Sequence, residues 1–222
     1  MANLEQLAEC VVRGHINANA PYPPDLKGQP GVVELVQEAV DEGIDAEAIL
    51  NEGLVKGMDE VGRRFRDNEY FVPDVLISAK AMKAGNAIIK PLLAEAGAKA
   101  QGTVLVGTVE GDMHDIGKNL VGMMLEGAGF KVVDYGVNVS PDKFKQGLKE
   151  NPGAVVGLSA LLTTTMVNMR KTIDAVREVE TDAKVIVGGA PVTENFAKEI
   201  GANGYAPDAS RAVDVVKNLI RV

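Results

Sequence analysis

The chain contains two histidines. One of them, His114, lies in GTVEGDMHDIGKN, Gly107 to Asn119, where Asp112, His114 and Gly117 stand in the order D-x-H-x-x-G. An imidazole with a carboxylate two residues away is a metal ligand with its own orienting partner. The carboxylate can take one ring nitrogen, fix the tautomer and leave the other nitrogen free to bind. A lone histidine cannot make a zinc site, and Asp115 and Glu110 do not supply tetrahedral nitrogen and sulfur spacing. A metal bound here must already be held by something else, such as a macrocycle. The other histidine, His15, follows a helix end next to a proline-rich loop, and is read as a solvated residue that suits the helix dipole.

TVLVGTV, ahead of the motif, is a short apolar β-branched strand, and Ile116 to Gly127 behind it has the period of an amphipathic helix. The motif therefore sits on a strand-to-helix loop at the carboxyl edge of a parallel sheet, where open α/β sheets bind ligands. The loop reads G-T-V-E-G, not G-x-G-x-x-G, and no P-loop occurs, so phosphate cradling is weakly supported. Gly117, just inside the helix, suggests something passing close to the backbone. Hydroxyls at Ser159, Thr163, Thr164 and Thr165 follow the third strand, and Gly188-Gly189-Ala190-Pro191 follows the fourth. Taken singly, these are an N-capping cluster and a tight turn. Together they line one crevice, with small residues leaving a slot for a long ligand tail.

The elements that position these residues fall into two parts. The strand-like runs Thr103–Val109, Lys131–Val137, Ala154–Ala160, Lys184–Ala190 and Gly204–Ala206 alternate with helical segments over Ile116–Gly127, Pro141–Glu150, Thr165–Val179, Thr193–Ile200 and Ala209–Ile220. Apolar strands alternating with helices mean a parallel sheet covered on both faces, and five units fit the doubly wound, flavodoxin-like order 2-1-3-4-5. The earlier residues read as four helices. These are Asn3–Arg13, capped by Asn3; Val32–Glu42, with Val33, Val36 and Val40 inward; Ala46–Phe65, capped by Asp45, with Ile49, Leu50, Leu54, Met58, Val61 and Phe65 inward; and Pro73 to about Leu93, with Leu76, Ala79, Met82, Asn86, Ile89 and Leu93 inward. Gly53, Gly57 and Gly62 each weaken the third helix by about 1 kcal/mol, so close packing is expected there. The fold class is α plus α/β: a four-helix bundle over 1–95, then a Rossmann-type five-stranded parallel sheet domain over 96–222. AEAGAKAQG, from Ala94, links them, with a hinge near Gly97–Gly102. The proline-rich stretch 18–31 is an extended surface loop, read as a docking loop for a partner.

Composition bounds the function. Of 222 residues, 46% are hydrophobic and 24% charged, an ordinary globular balance. A net charge of −8 without a basic run disfavours nucleic-acid and anionic-membrane surfaces. One cysteine, Cys10, excludes a disulfide framework and favours the cytoplasm. No signal peptide or transmembrane run is expected.

D-x-H-x-x-G, then 41 residues, then S-x-L (Ser159, Leu161), then 26 residues, then Gly188-Gly189 resembles the cobalamin-binding signature of cobalamin-dependent methionine synthase, of corrinoid proteins of methyltransferase systems and of several mutases. Gly57–Met82, GMDEVGRRFRDNEYFVPDVLISAKAM, is similar to the helical cap preceding that domain in the methyltransferase group. The resemblance covers nearly the whole chain and implies a corrinoid methyl carrier whose cofactor is cobalamin, as methylcobalamin or another corrinoid. It would shuttle a methyl group on cobalt between a substrate-specific methyltransferase and a second one serving tetrahydrofolate or a thiol, with a reductive activator protein as a further partner, and would hold no complete active site alone. His114 would be the lower axial ligand to cobalt, displacing the cofactor's own base. Asp112 would accept from its other nitrogen, and Thr165 would continue the relay where the family has a serine. That relay would couple proton uptake to demethylation. Ser159 and Thr163 would contact the nucleotide tail, Leu161, Gly188 and Gly189 would shape its slot, and Ala209 opens ASRA, which matches a family stretch near the tail. Asp115 and Gly117 complete the cofactor loop. Phe71 and Leu76 are the cap residues for covering the methyl group, unless they are bundle core.

Other readings remain. The small subunit of an adenosylcobalamin-dependent mutase shares D-x-H-x-x-G but lacks this helical cap. A cobalamin-based light sensor pairs a similar cap with an N-terminal DNA-binding domain, for which ~30 residues before the second helix are too few to form a core. A cofactor-free flavodoxin-like signalling domain leaves the three-part motif unexplained.

Overall fold

Asn3 opens the first helix, its side-chain oxygen accepting the N–H groups of Glu5 and Gln6 at 3.0 and 3.1 Å. In the computed structural model, which describes residues 3–96 and 100–220, this helix is α1 (Leu4–Val12). Residues 97–99, part of the expected hinge, lie outside the described residues. The chain forms two compact units that divide next to residue 100.

In the helical unit the proline-rich stretch is a surface loop with one short 3₁₀ turn, Pro24–Leu26, and it is tied down. Arg13 holds both carboxylate oxygens of Asp25 at 2.9 and 2.8 Å, and Glu34 accepts the N–H groups of Ala18 and Gly31 at 3.1 and 2.9 Å. This loop overturns the expectation for His15. His15 is fully buried, and neither ring nitrogen has a hydrogen-bond partner among the described residues. Its own N–H donates to Cys10 and its carbonyl accepts Val32 N–H. The residue is thus pinned between the end of α1 and the start of α2 (Val32–Asp41), and is not released to solvent.

Helix α2 buries Val32, Leu35, Val36 and Ala39, while Val33 and Val40 are only half-buried, against expectation. Paired apolar residues along this helix leave two faces open, and tertiary contact decides between them. Asp45 caps the third helix as expected, accepting from Glu47 and Ala48 at 3.0 and 3.2 Å. That helix is composite: α3 (Ala46–Ala48), a π-helical stretch (Ile49–Val55) and α4 (Lys56–Arg66). Ile49, Leu54, Met58 and Val61 are buried, whereas Leu50 and Phe65 are half-buried. In α5 (Val72–Glu95), Val75, Ser78, Met82, Gly85 and Ile89 face the core, and Leu76, Ala79, Asn86 and Leu93 are only half-buried. The reason is Gly85, where a Cβ would lie 2.7 Å from Val32 and 2.9 Å from Leu54. Only a glycine lets those side chains so close, so this face turns inward.

The second unit is a five-stranded sheet, all parallel, in the order β2-β1-β3-β4-β5. Its strands are β1 (Thr103–Thr108), β2 (Lys131–Asp134), β3 (Val155–Ser159), β4 (Val185–Gly188) and β5 (Gly204–Ala206). Four of them, β1 to β4, are shorter than expected. Between and after them run α6 (Ile116–Gly127), α7 (Pro141–Glu150), α8 (Thr163–Met166), α9 (Asn168–Arg177), α10 (Glu194–Glu199) and α11 (Ala209–Ile220). The single helix expected over 165–179 is therefore two. Phe144 and Leu148 of α7 and Met169, Ile173 and Val176 of α9 share a core with Leu105, Val156, Val185 and Val187 of the strands. One register row aligns Thr108, Ser159, Gly188 and Ala206 side by side at the carboxyl edge. Among the described residues, no helix is long and apolar enough to cross a membrane.

A Cβ on Gly57 would lie 2.7 Å from Val11 Cβ and 2.8 Å from the carbonyl oxygen of Ala8, so the glycine in this helix is needed for close packing. Gly57→Ala gains helix propensity but overpacks against backbone. The expected net result is a loss of about 1–2 kcal/mol in urea unfolding.

Candidate functional site

The loop between β1 and α6 presents His114 at the carboxyl edge of the sheet, with its side chain half exposed. Asp112 lies beneath it, fully buried. The Asp112 carboxylate accepts four hydrogen bonds. Oδ1 takes the backbone N–H of His114 at 3.1 Å and meets its Nδ1 at 2.7 Å; Oδ2 takes the backbone N–H of Leu161 at 2.8 Å and the hydroxyl of Thr165 at 2.6 Å. Burial works against the charged carboxylate, but the bonds from Thr165, Leu161 and His114 outweigh it and hold Asp112 well below the ordinary carboxylate range. Asp112 is consequently an acceptor only, and the proton shared with His114 sits on Nδ1. Among the described residues, no hydrogen bond engages Nε2. The segments that follow β1 and β3 carry exposed apolar side chains, Met113, Ile116, Leu161, Leu162 and Val167.

The structure joins three of the expected site residues, Thr165, Asp112 and His114, into one chain of hydrogen bonds. Leu161 joins them through its backbone N–H, which the sequence could not reveal. Ser159 ends β3, half-buried, and Thr163 opens α8, exposed. Gly188 lies opposite Ser159, and a Cβ there would come within 2.7 Å of Ala206 O. Gly189 has φ +127°, and a Cβ there would lie 1.9 Å from Ala160 O, so only glycine lets β4 leave the sheet at that point. A Cβ on Gly117 would meet nothing within 4 Å, leaving open room along the first turn of α6. Asp115, exposed, accepts the side-chain amide of Asn119 at 3.1 Å. Ala209 is buried at the start of α11. Phe71 and Leu76 belong to the helical unit. Phe71 is 64% exposed and Leu76 half-buried, so neither lies in the bundle core.

Sequence reasoning missed Lys118. It is 97% buried, with Nζ 2.5 Å from Asp134 Oδ2 and 2.6 Å from Asn119 Oδ1, tying the first turn of α6 to the end of β2. A lysine directly after the motif glycine, with an aspartate ending the neighbouring strand, was the available signal. Among the described residues no group of three or more histidine, cysteine, aspartate or glutamate side chains could hold a metal ion.

Two B12 binding domain families match the chain, one over residues 102–214 and the other over 29–90. The chain is 42% identical over 194 residues to a corrinoid protein of Desulfitobacterium hafniense (strain Y51), covering 85% of this chain and 90% of that protein. It is 44% identical over 193 residues to the trimethylamine corrinoid protein of Methanosarcina barkeri, covering 85% and 89%. Among solved structures it resembles the methanol:cobalamin methyltransferase complex of Methanosarcina barkeri with a TM-score of 0.82 and 29% identity, over 98% of this chain and 79% of that one.

The Asp112 site also makes a pH-dependent contribution to stability. A depressed carboxyl pKa stabilises the fold above the unfolded value of about 3.9 and loses that contribution as pH falls through the folded value. Thr165→Val keeps the shape and removes the donor. It should cost about 1.5–3 kcal/mol in urea unfolding at pH 7, and the gap from wild type should narrow below about pH 4.

Proposed function

The chain belongs to the B12-binding corrinoid proteins of methyltransferase systems, and from that premise we propose that it is a methyl carrier that holds its corrinoid with His114 as the lower axial ligand. The observation that carries this is the chain Thr165–Asp112–His114, which ends on a half-exposed imidazole held at Nδ1 by the buried Asp112. The donor set fits a corrinoid: one nitrogen ligand, fixed by a buried carboxylate, on a sheet edge whose loops expose apolar side chains suited to the face of a macrocycle. Open space at Gly117 and the glycines at 188 and 189 suit the passage of a tail along the strand ends.

When bound, the corrinoid supplies a cobalt centre that can accept a methyl group and yield it again. The protein's own residues do the rest. Asp112 keeps Nδ1 of His114 protonated and so keeps Nε2 a donor of its lone pair. Thr165 and the N–H of Leu161 hold Asp112 in place and ionised. Ser159, Thr163, Gly188, Gly189 and Ala209 are assigned to the tail, and Phe71 and Leu76 to the helical unit's cover.

The partners are a substrate-specific methyltransferase and a second methyltransferase acting towards tetrahydrofolate or a thiol, with a reductive activator. Support for the first comes from the likeness to a methyltransferase complex and to a trimethylamine corrinoid protein. Those two relatives are named for different methyl donors, which supports donor selection by the partner and not by this chain.

The test is the absorption spectrum of the protein loaded with hydroxocobalamin, beside His114→Ala. The expected result is a bound cofactor with its own base displaced and a histidine-ligated spectrum that changes in the variant. No binding, or identical spectra, overturns the ligand assignment. Gly117→Ala separates ligand from fold: without cofactor it should gain up to about 1 kcal/mol from helix propensity, yet retain hydroxocobalamin less well in equilibrium dialysis.

A further inference from the structure

Residues 110–115 have no regular helix or strand structure, so their backbone polar groups need partners from elsewhere. They find several in residues outside the motif. Thr108, the last residue of β1 and wholly buried, donates its hydroxyl to the carbonyl of His114 at 2.7 Å. Thr108 is itself locked into the sheet: its N–H donates to Gly136 at 3.0 Å and its carbonyl accepts Val139 N–H at 2.9 Å. Asn138, in the loop after β2, grips the same segment twice. Its N–H donates to the carbonyl of Asp112 at 2.9 Å, and its side-chain oxygen accepts Gly111 N–H at 2.8 Å. Asn138 does this at φ +53°, a left-handed conformation that asparagine tolerates and most side chains do not. Asn168 adds a bond to the carbonyl of Glu110 at 2.9 Å.

We propose that Thr108 and Asn138 are positioning residues for axial ligation: they clamp the backbone on both sides of the His114 imidazole and thereby strengthen the bond it can make. Asp112 fixes how the ring is turned. Thr108 and Asn138 fix where the ring stands, because they hold the carbonyl of His114 and the peptides around Asp112 from the end of β1 and from the loop after β2. A loop held in advance loses less conformational freedom when its ligand binds, and that saving appears as affinity. The inference rests on His114 as the ligand, and Thr108 acts only through it.

A double-mutant cycle tests this by titrating the full chain with hydroxocobalamin. Thr108→Val removes the hydroxyl at nearly constant shape, and Thr108→Ser restores it. Asn138→Gly keeps the left-handed backbone and removes the acceptor at an exposed position, so it serves if Thr108→Val does not fold. Each of Thr108→Val and Asn138→Gly is expected to raise Kd roughly three- to tenfold while His114 is present. Neither should change Kd in a His114→Ala background, and Thr108→Ser should match wild type. An unchanged Kd with His114 present, or the same rise in both backgrounds, overturns the proposal. If His114→Ala itself leaves both the spectrum and Kd unaltered, the axial-ligand reading fails, and this proposal fails with it.

Discussion

The four hydrogen bonds that end on Asp112 are the constraint on which the site depends. A buried carboxylate is costly unless its lone pairs are engaged. Here Oδ1 and Oδ2 each accept two donors, and the donors come from the loop after β1, the loop after β3 and the start of α8. The group that orients His114 therefore also fastens the loop after β1 to the loop after β3. An amide at position 112 would set its NH₂ against N–H and O–H donors. Structure and chemistry require the same ionised side chain.

The sheet makes that fastening available. In the order β2-β1-β3-β4-β5, β1 and β3 are neighbours although α6, β2 and α7 intervene in the chain. The reversal of direction at β1 and β3 opens a crevice at their carboxyl ends, the usual place for a ligand in this architecture. Register then aligns Thr108, Ser159, Gly188 and Ala206 along the edge. Glycines at 188 and 189 are held by sterics: backbone oxygens of Ala206 and Ala160 already occupy the space of any Cβ.

The helical unit solves a different problem. Its helices carry glycines at positions where propensity argues against them, and contacts at Gly57 and Gly85 explain why. The same closeness decides which residues face inward. Val32 and Leu54 crowd Gly85, and α5 turns its Val75 and Met82 face to the core.

The sequence by itself determined the class of fold, the alternation of strands with helices and the motif. These are local: period two against period 3.6, caps at Asn3 and Asp45, and residues at fixed spacing along one loop. The pairing of Asp112 with His114 was legible because a single residue separates them. Thr165 was legible only through a family resemblance, since it joins Asp112 from 53 positions away. Tertiary structure alone decided the rest. Leu161 contributes an N–H that every residue but proline carries, so no side chain announced it. His15 looked like a solvated helix end and is buried, because the loop and the start of α2 close over it. The inward faces of α2 and α5 were ambiguous because adjacent apolar residues offer two nearly equal stripes. Burial and register follow from which elements meet across long stretches of chain, and a one-residue rotation that costs nothing in local propensity is settled only by what the helix packs against.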